Sequence, residues 1–132
     1  MRECVLDASV ILLWFGGSDG VRAAPVRRLR TEFERGELAI LAPALLPLEV
    51  LNVSGRRWSW DREALQELAG ALDDLSLELV QPNLASVAGW VAEGLTAHDA
   101  SYVAVAEEAS IPLITLDEQI LRMARAVAQP PA

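Results

Sequence analysis

The stretch TAHDASYVAVAEEASIPLITLD, at residues 96–117, decides the fold. Its first part, 96–110, is rich in small apolar residues and predicts a helix, and the apolar run at 111–116 predicts a buried strand that ends in an aspartate. The start of the chain has a similar pattern. ECVLD at 3–7 predicts a buried strand that also ends in an aspartate and is followed by a short helix. Short apolar strands that alternate with helices indicate a parallel sheet covered on both faces.

The rest of the chain predicts the other elements of the sheet and its helices. They are a loop at 16–20, helices at 21–36, 43–57, 61–75 and 83–94, strands at 37–41 and 77–80, and a last helix at 117–128. The final residues, AQPPA, predict a frayed end. The chain is therefore expected to fold as one α/β domain over residues 1–132, with four strands readable from the pattern.

Composition excludes several classes of protein. With 132 residues, 52% of them hydrophobic, the chain can build a core of its own. All 11 basic residues are arginine, which excludes P-loop and Schiff-base lysine chemistry. One cysteine and one histidine exclude a disulfide framework and a Cys/His zinc site. Because there is no bilayer-length apolar run and no cleavable apolar leader, we expect a cytoplasmic protein without a membrane segment.

The net charge of −8 is unevenly distributed along the chain. Residues 1–60 carry eight arginines and seven acids, whereas residues 61–132 carry three arginines and twelve acids. Since an acidic protein is a poor general ligand for nucleic acid, any such contact must be local and is expected in the first half. The arginines of 22–35 predict a phosphate-contacting face, a dock for an acidic partner segment, or simply a solvated helix face.

Four acidic residues stand on otherwise apolar elements. Asp7 and Asp117 each follow a predicted strand, and Asp99 begins a predicted helix. Glu49 lies in PALLPLEVLNV, where almost every other residue is apolar, so we expect it on a buried helix. Each acid also has a purely structural explanation, because aspartates cap helices, Thr96 and Asp99 match a capping box, and a buried glutamate can pair with an arginine.

Taken together, the four acids predict a metal site. Functional groups gather at the carboxyl ends of parallel strands, and several carboxylates cannot share one pocket without compensating charge. Mg²⁺ or Mn²⁺ suits carboxylate ligands, and a metal held in this way supports phosphodiester hydrolysis by an activated water.

Three segments of the chain resemble a known family. VLDAS at 5–9, PLEVLN at 47–52 and LTAHDASYVAVAEEASIPLITLDEQIL at 95–121 together look like a PIN domain, and within PIN domains most like the VapC toxins of toxin–antitoxin pairs. The resemblance extends from residue 4 to about 124. Many relatives carry a lysine near the position of Leu13, which this chain lacks.

The resemblance implies a three-layer α/β/α sandwich with a parallel sheet of four to five strands. It also implies an endoribonuclease that depends on Mg²⁺ or Mn²⁺ and cleaves structured RNA such as tRNA or ribosomal RNA. Its acidic site would consist of Asp7, Glu49, Asp99 and Asp117. Ser9 and Thr115 match hydroxyl residues that support the acids, and the family implies a homodimer silenced by a small VapB-type antitoxin.

A few further residues are candidates for lesser roles. Asn52 shares a helical stripe with Glu49, and Arg56 and Arg57 follow on the same helix, where they are placed to meet an RNA phosphate. Trp58 and Trp60 are expected to fill the core or an interface rather than to stack on a base. His98 is expected to be exposed and without a role.

Two other functions compete with the nuclease. The first is a PIN-like module without activity that serves only in binding or assembly. The second is a phosphatase or phosphoacceptor built on Asp7, which is disfavoured because position 9 is serine and the chain has no lysine.

Overall fold

A computed structural model of the protein describes residues 1–16 and 23–132. The strands in this part of the chain are β1 (Arg2–Leu6), β2 (Leu38–Pro43), β3 (Glu78–Val80), β4 (Leu113–Ile114) and β5 (Ala128–Gln129). The helices there are α1 (Ala8–Phe15), α2 (Ala23–Glu34), α3 (Leu46–Arg56), α4 (Arg62–Asp74), α5 (Leu84–Glu93), α6 (Ala97–Ala109) and α7 (Glu118–Met123). Most of the predicted loop at 16–20 and the start of the predicted helix at 21–36 lie outside the described residues.

The strands form one sheet in the order β3-β2-β1-β4-β5, in which every neighbouring pair is parallel. From β1 the chain adds β2 and β3 on one side and then returns to the other side of β1 for β4 and β5. With right-handed crossovers, this reversal places the helices of the first half on one face and α5 and α6 on the other. The predicted α/β fold with a parallel sheet is confirmed.

The reversal creates a switch point between β1 and β4. The two strands are paired directly, with Leu6 beside Ile114. Asp7 follows β1 immediately and Asp117 lies three residues beyond β4, so both acids are at the carboxyl ends of adjacent strands. In open parallel sheets this crevice is where ligands bind.

Helix α6 packs across the middle of the sheet because its inner residues are small. Every residue from Ala100 to Ala106 is buried, and the helix contacts β1, β2 and β4. Alanines allow the helix to approach the strands closely, which leaves Tyr102 as the one large side chain in this run. A helix buried on all sides needs no polar face, so the apolar pattern of 100–106 is accounted for.

The C-terminal end differs from the sequence-based prediction. The last helix ends at Met123 instead of 128, and the predicted frayed end contains β5, in which Ala128 pairs with Leu113. Pro131 is buried as well. The backbone N–H of Leu113 donates to the carbonyl of Val127 at 2.8 Å, a sheet hydrogen bond that a longer helix would forgo.

Three other boundaries also differ. Pro43 ends β2, whereas the prediction placed it in the helix that now begins at Leu46. The strand predicted at 111–116 is reduced to the two residues of β4. β3 begins at Glu78, one residue later than predicted, and its Leu79 is 45% exposed because β3 is at the edge of the sheet. In the described part of the chain, no helix is long and apolar enough to cross a membrane.

Candidate active site

Asp7 is the most deeply buried of the four acids, with 5% of its surface exposed. It caps α1, and its Oδ1 accepts the backbone N–H of Ser9 at 3.1 Å and the hydroxyl of Ser9 at 2.5 Å. Its other oxygen, Oδ2, accepts the hydroxyl of Thr115. Burial raises the pKa of Asp7 from 3.8 to about 6, although the hydrogen bonds from Ser9 and Thr115 oppose the shift.

The hydroxyls of Ser9 and Thr115 connect Asp7 to the loop after β4. Ser9 Oγ accepts the backbone N–H of Leu116 at 3.1 Å, and Thr115 Oγ1 accepts the backbone N–H of Asp117 at 3.0 Å. Each hydroxyl therefore accepts a hydrogen bond from a backbone N–H and donates a hydrogen bond to a different oxygen of Asp7. The structure thus places both residues on Asp7, where the sequence predicted their support.

Asp117 and Asp99 stand at the starts of helices. Asp117 is the N-cap of α7 and accepts the backbone N–H of Ile120 at 2.9 Å. Asp99 is in the first turn of α6, and its backbone N–H donates to Thr96 Oγ1 at 3.1 Å, as the capping box predicts. Burial raises the pKa of Asp99, and the charge of Asp117 raises it further. The capping hydrogen bonds and a charge interaction between Asp99 and Asp117 are therefore both present.

Glu49 reaches the same region from the first turn of α3. It was expected on a buried helix, but its side chain is 25% exposed and the adjacent Leu48 is 68% exposed, because this face of α3 meets solvent. Glu49 Oε1 accepts the hydroxyl of Tyr102 at 2.5 Å, and Nδ1 of His98 lies 4.0 Å from Oε2. Burial raises the pKa of Glu49, the Tyr102 hydrogen bond and His98 oppose the shift, and the charge of Asp99 adds to it.

The neighbours of Glu49 bear on two expectations. Among the described residues no arginine pairs with it, so an Arg–Glu salt bridge does not account for this carboxylate. His98 is exposed as expected, yet it lies close enough to Glu49 to act on its charge, which the sequence did not reveal.

The four carboxylates influence one another as one acidic group. Charge interactions connect Asp7 with Asp117, Asp117 with Asp99, and Asp99 with Glu49. In the described ranges none of the four forms a salt bridge with an arginine. Arginine side chains of the described residues therefore do not neutralise the negative charge of the crevice.

The four acids meet the requirements of a metal site in chemical type but not in spacing. Across residues 1–16 and 23–132, no three His, Cys, Asp or Glu side chains lie close enough together to hold a metal ion as they stand. The donor chemistry fits nevertheless, because the side chains offer oxygen atoms only and their mutual repulsion calls for a cation. Asp7, Glu49, Asp99 and Asp117 thus fit Mg²⁺ or Mn²⁺ in type and charge.

The other predicted residues of α3 face solvent. Asn52, Arg56 and Arg57 are exposed, and within the described residues none of them hydrogen-bonds to the acids. Arg56 is seven residues after Glu49 and therefore lies on the same stripe of the helix, about two turns away. These side chains are available to a ligand that extends from the crevice along α3.

Trp58 and Trp60 pack on each other beyond the end of α3. Their ring centroids are 5.6 Å apart, and both rings are half-buried. A Cβ atom at Gly16 would come within 2.9 Å of both rings, so the pair closes tightly over the end of α1. This contact favours the expected packing role over base stacking.

Tyr102 belongs to the site but was not identified from the sequence. It is 1% exposed, and its partner Glu49 is 53 positions away in the chain. The available signal was a tyrosine inside a run of small apolar residues, because a buried phenolic hydroxyl needs a polar partner.

The fold and the site define an α/β domain with a carboxylate-lined crevice at the switch point of a parallel sheet. The chain belongs to the PIN domain family, whose profile matches residues 4–126. The resemblance predicted from the sequence is therefore confirmed.

The solved structures that are similar to this chain include two from different organisms. The first is Mycobacterium tuberculosis VapC20, described as a sarcin-ricin loop cleaving toxin, with 14% identity, a TM-score of 0.67, and coverage of 90% of this chain and 93% of that one. At this identity the likeness shows the fold alone. The second is PAE2754 from Pyrobaculum aerophilum, with 26% identity, a TM-score of 0.59, and coverage of 92% and 85%. No curated protein matches the chain.

Proposed function

We propose that residues 1–132 form a single nuclease domain, the toxin of a VapC-type toxin–antitoxin pair, which cleaves structured RNA with the help of Mg²⁺ or Mn²⁺. The observation that carries the proposal is the group of four carboxylates, without arginine partners in the described chain, at the switch point of the sheet. Membership of the PIN family supports nuclease chemistry. The family resemblance suggests transfer or ribosomal RNA as substrate, and VapC20, whose fold is similar, is described as a sarcin-ricin loop cleaving toxin.

The proposed division of labour follows from the surroundings of each acid. Asp7, Asp99 and Asp117 would hold the divalent cation, with Glu49 as the fourth acid, either as a further ligand or as the residue that orients the attacking water. When bound, such an ion lowers the pKa of an attacking water and stabilises the leaving oxygen of the phosphodiester. Ser9 and Thr115 each occupy one oxygen of Asp7 and so fix the direction of its remaining lone pairs.

Glu49 is suited to orient the attacking water. Its Oε1 is occupied by the hydroxyl of Tyr102, whereas Oε2 accepts no hydrogen bond from the described residues and lies 4.0 Å from Nδ1 of His98. Oε2 can therefore accept a proton from a water molecule in line with the scissile bond, and no protein nucleophile is required. Asn52 would assist from the next turn of α3.

The partners proposed here follow from the family and from the charge distribution. Arg56 and Arg57 are exposed and would contact the RNA backbone next to the crevice. An antitoxin of the VapB type would cover the crevice, the toxin would form a homodimer, and both would act in the cytoplasm.

A thermal melt in EDTA, Mg²⁺ and Mn²⁺ tests the metal site directly. The parent is expected to gain about 2.7 kcal/mol at a hundredfold excess of metal over its Kd. Asp99→Asn should lose most of this gain, whereas Asp73→Asn, an exposed acid on α4, should keep it. An RNA cleavage screen on the same proteins would then test the nuclease.

The competing function is a PIN module without activity. It is favoured by the finding that, in the described residues, no three potential ligands lie close enough together to hold a metal ion. Under this alternative neither Mg²⁺ nor Mn²⁺ raises the melting temperature of any variant. That result, with no RNA cleavage, would replace the nuclease with a binding role.

A further inference from the structure

Tyr102 is deeply buried, yet its hydroxyl ends at the acidic crevice. It is among the largest fully buried side chains of the described residues, and its hydroxyl donates to Glu49 Oε1 at 2.5 Å. The backbone of Ala8 and the charge of Asp7 also act on this hydroxyl. The hydroxyl therefore lies near the start of α1 while it is bonded to the acid of α3.

The polarity of this contact is fixed by chemistry. An ionised carboxylate can only accept, so Tyr102 must donate its single proton to Glu49. Oε1 of Glu49 is thereby held in place, while Oε2 remains available.

The helix that carries Tyr102 also carries one of the proposed metal-holding acids. Asp99 is three residues earlier on α6, so the two side chains project from adjacent turns of the same helix face. Tyr102 thus ties Glu49, on α3, to the helix that carries Asp99. A half-exposed glutamate without this contact would sample several rotamers.

We propose that Tyr102 is a positioning residue, which holds Glu49 in the orientation that the acidic site needs to bind a divalent cation. This inference rests on the proposed function, because it concerns the same site. It adds Tyr102 to the four acids and the hydroxyls of Ser9 and Thr115, as a side chain that acts through Glu49 and not directly on the metal or the RNA.

The test is a double-mutant cycle with Mn²⁺ as the probe, read by calorimetric titration without RNA. Removal of a contact behind a metal ligand typically weakens affinity by 10–100-fold, and we expect about tenfold for Tyr102→Phe. In a Glu49→Gln background, Tyr102→Phe should weaken Mn²⁺ binding no further, because the residue through which it acts has already been changed.

Ser101→Ala is the matched control. Ser101 is adjacent on α6 and 3% exposed, and its hydroxyl donates to the carbonyl of His98 at 2.6 Å. Its removal costs a buried hydrogen bond of similar length that is not made to an acid. Mn²⁺ affinity should stay within about twofold of the parent, and melts in EDTA should show that each variant is folded.

A second measurement leaves the hydroxyl in place. Tyr102 is the single tyrosine of the chain, so a ring-labelled sample gives one tyrosine signal in NMR. Addition of Mg²⁺ should shift that signal in the parent and leave it unchanged in Glu49→Gln. This readout supports or opposes the inference even if Tyr102→Phe does not fold.

The inference is overturned if Tyr102→Phe binds Mn²⁺ as tightly as the parent, or if it loses the same factor with and without Glu49→Gln. Either result would leave the proposed function standing, because the parent would still bind the metal. Absence of Mn²⁺ binding by the parent would overturn the proposed function and this inference together.

Discussion

Asp7 and Glu49 are two acids of one crevice that are held in very different ways. Asp7 is 5% exposed, and its two oxygens accept hydrogen bonds from the hydroxyls of Ser9 and Thr115. The Glu49 side chain is 25% exposed, and one of its oxygens accepts a hydrogen bond from the hydroxyl of Tyr102 on another helix. Within the described residues, hydrogen bonds therefore fix both oxygens of Asp7 but one oxygen of Glu49.

The difference shows how a sheet and its helices contribute unequally to a site. The backbone pairing of β1 with β4 fixes the ends of these strands. The position of Asp7, directly after β1, is therefore set by the sheet. Glu49 is on a helix at the rim of the crevice, and its position relies on side-chain contacts that can be removed one at a time. Substitutions at the two acids should therefore have effects of different size.

The largest expected effect is the loss of RNA cleavage in Asp7→Asn. The amide keeps the shape of Asp7 and much of its hydrogen bonding but removes the charge that the metal needs, so cleavage should fall to the level of a protein-free control. Glu49→Gln should retain measurable cleavage, because Glu49 is the less constrained acid. Cleavage by Asp7→Asn at the parental rate would refute the mechanism.

The next effect is a pH dependence of stability in the metal-free protein. Because burial raises the pKa of Asp7 from 3.8 to about 6, the folded state holds this proton more tightly than the unfolded chain. The contribution of Asp7 to the free energy of unfolding is therefore greatest below pH 4, and it declines by roughly 3 kcal/mol as the pH rises through 6.

Asp7→Asn provides the control for this pH dependence. In EDTA the variant should match the parent in unfolding free energy near pH 4 and exceed it above pH 6, as measured by urea denaturation. If the difference in unfolding free energy between Asp7→Asn and the parent does not change with pH, burial does not raise the pKa of Asp7.

The hydroxyls on Asp7 should contribute measurably to stability. Thr115→Val removes a buried donor to Asp7 and an acceptor for the backbone of Asp117, and should lower the free energy of unfolding by about 1–3 kcal/mol. Thr115→Ser keeps the hydroxyl and should lose less. Ser54→Ala is a matched control, because the buried hydroxyl of Ser54 has no hydrogen-bond partner among the described residues and should cost little.

The smallest expected effect is that of His98→Ala. The side chain of His98 is 72% exposed and 4.0 Å from Glu49, so the pair is weak and screened by solvent. Stability should change by less than about 0.5 kcal/mol, and Mn²⁺ affinity should remain parental. A loss as large as that expected for Tyr102→Phe would mean that His98 also holds Glu49.

Much of the site could be predicted because its acids follow rules that are local in sequence. Asp7 and Asp117 end apolar strands, and adjacent parallel strands bring such ends together. The contact between Tyr102 and Glu49 has no such rule, since it depends on how α6 packs across the sheet beside α3. Its two residues are 53 positions apart, and no sequence pattern around either residue predicts the other as its partner.

The end of the fold was predicted less well for a related reason. The residues after Met123 continue a helical pattern, with alanine and arginine favouring a helix. Tertiary contacts override this preference, because Ala128 and Gln129 gain a strand partner in β4. Pro130 gave a hint, since a residue that precedes proline favours extended backbone, and here that residue is Gln129 in β5.

The bond between Thr115 and Asp7 joins residues 108 positions apart, and this separation has a consequence for biosynthesis. During translation β1 leaves the ribosome early, but its carboxylate meets neither Thr115 nor Asp117 until the segment that forms β4 has also emerged. A nascent chain therefore has no complete acidic crevice for most of its synthesis. The proposed nuclease would thus remain harmless to the RNA around it until translation of the domain was almost finished.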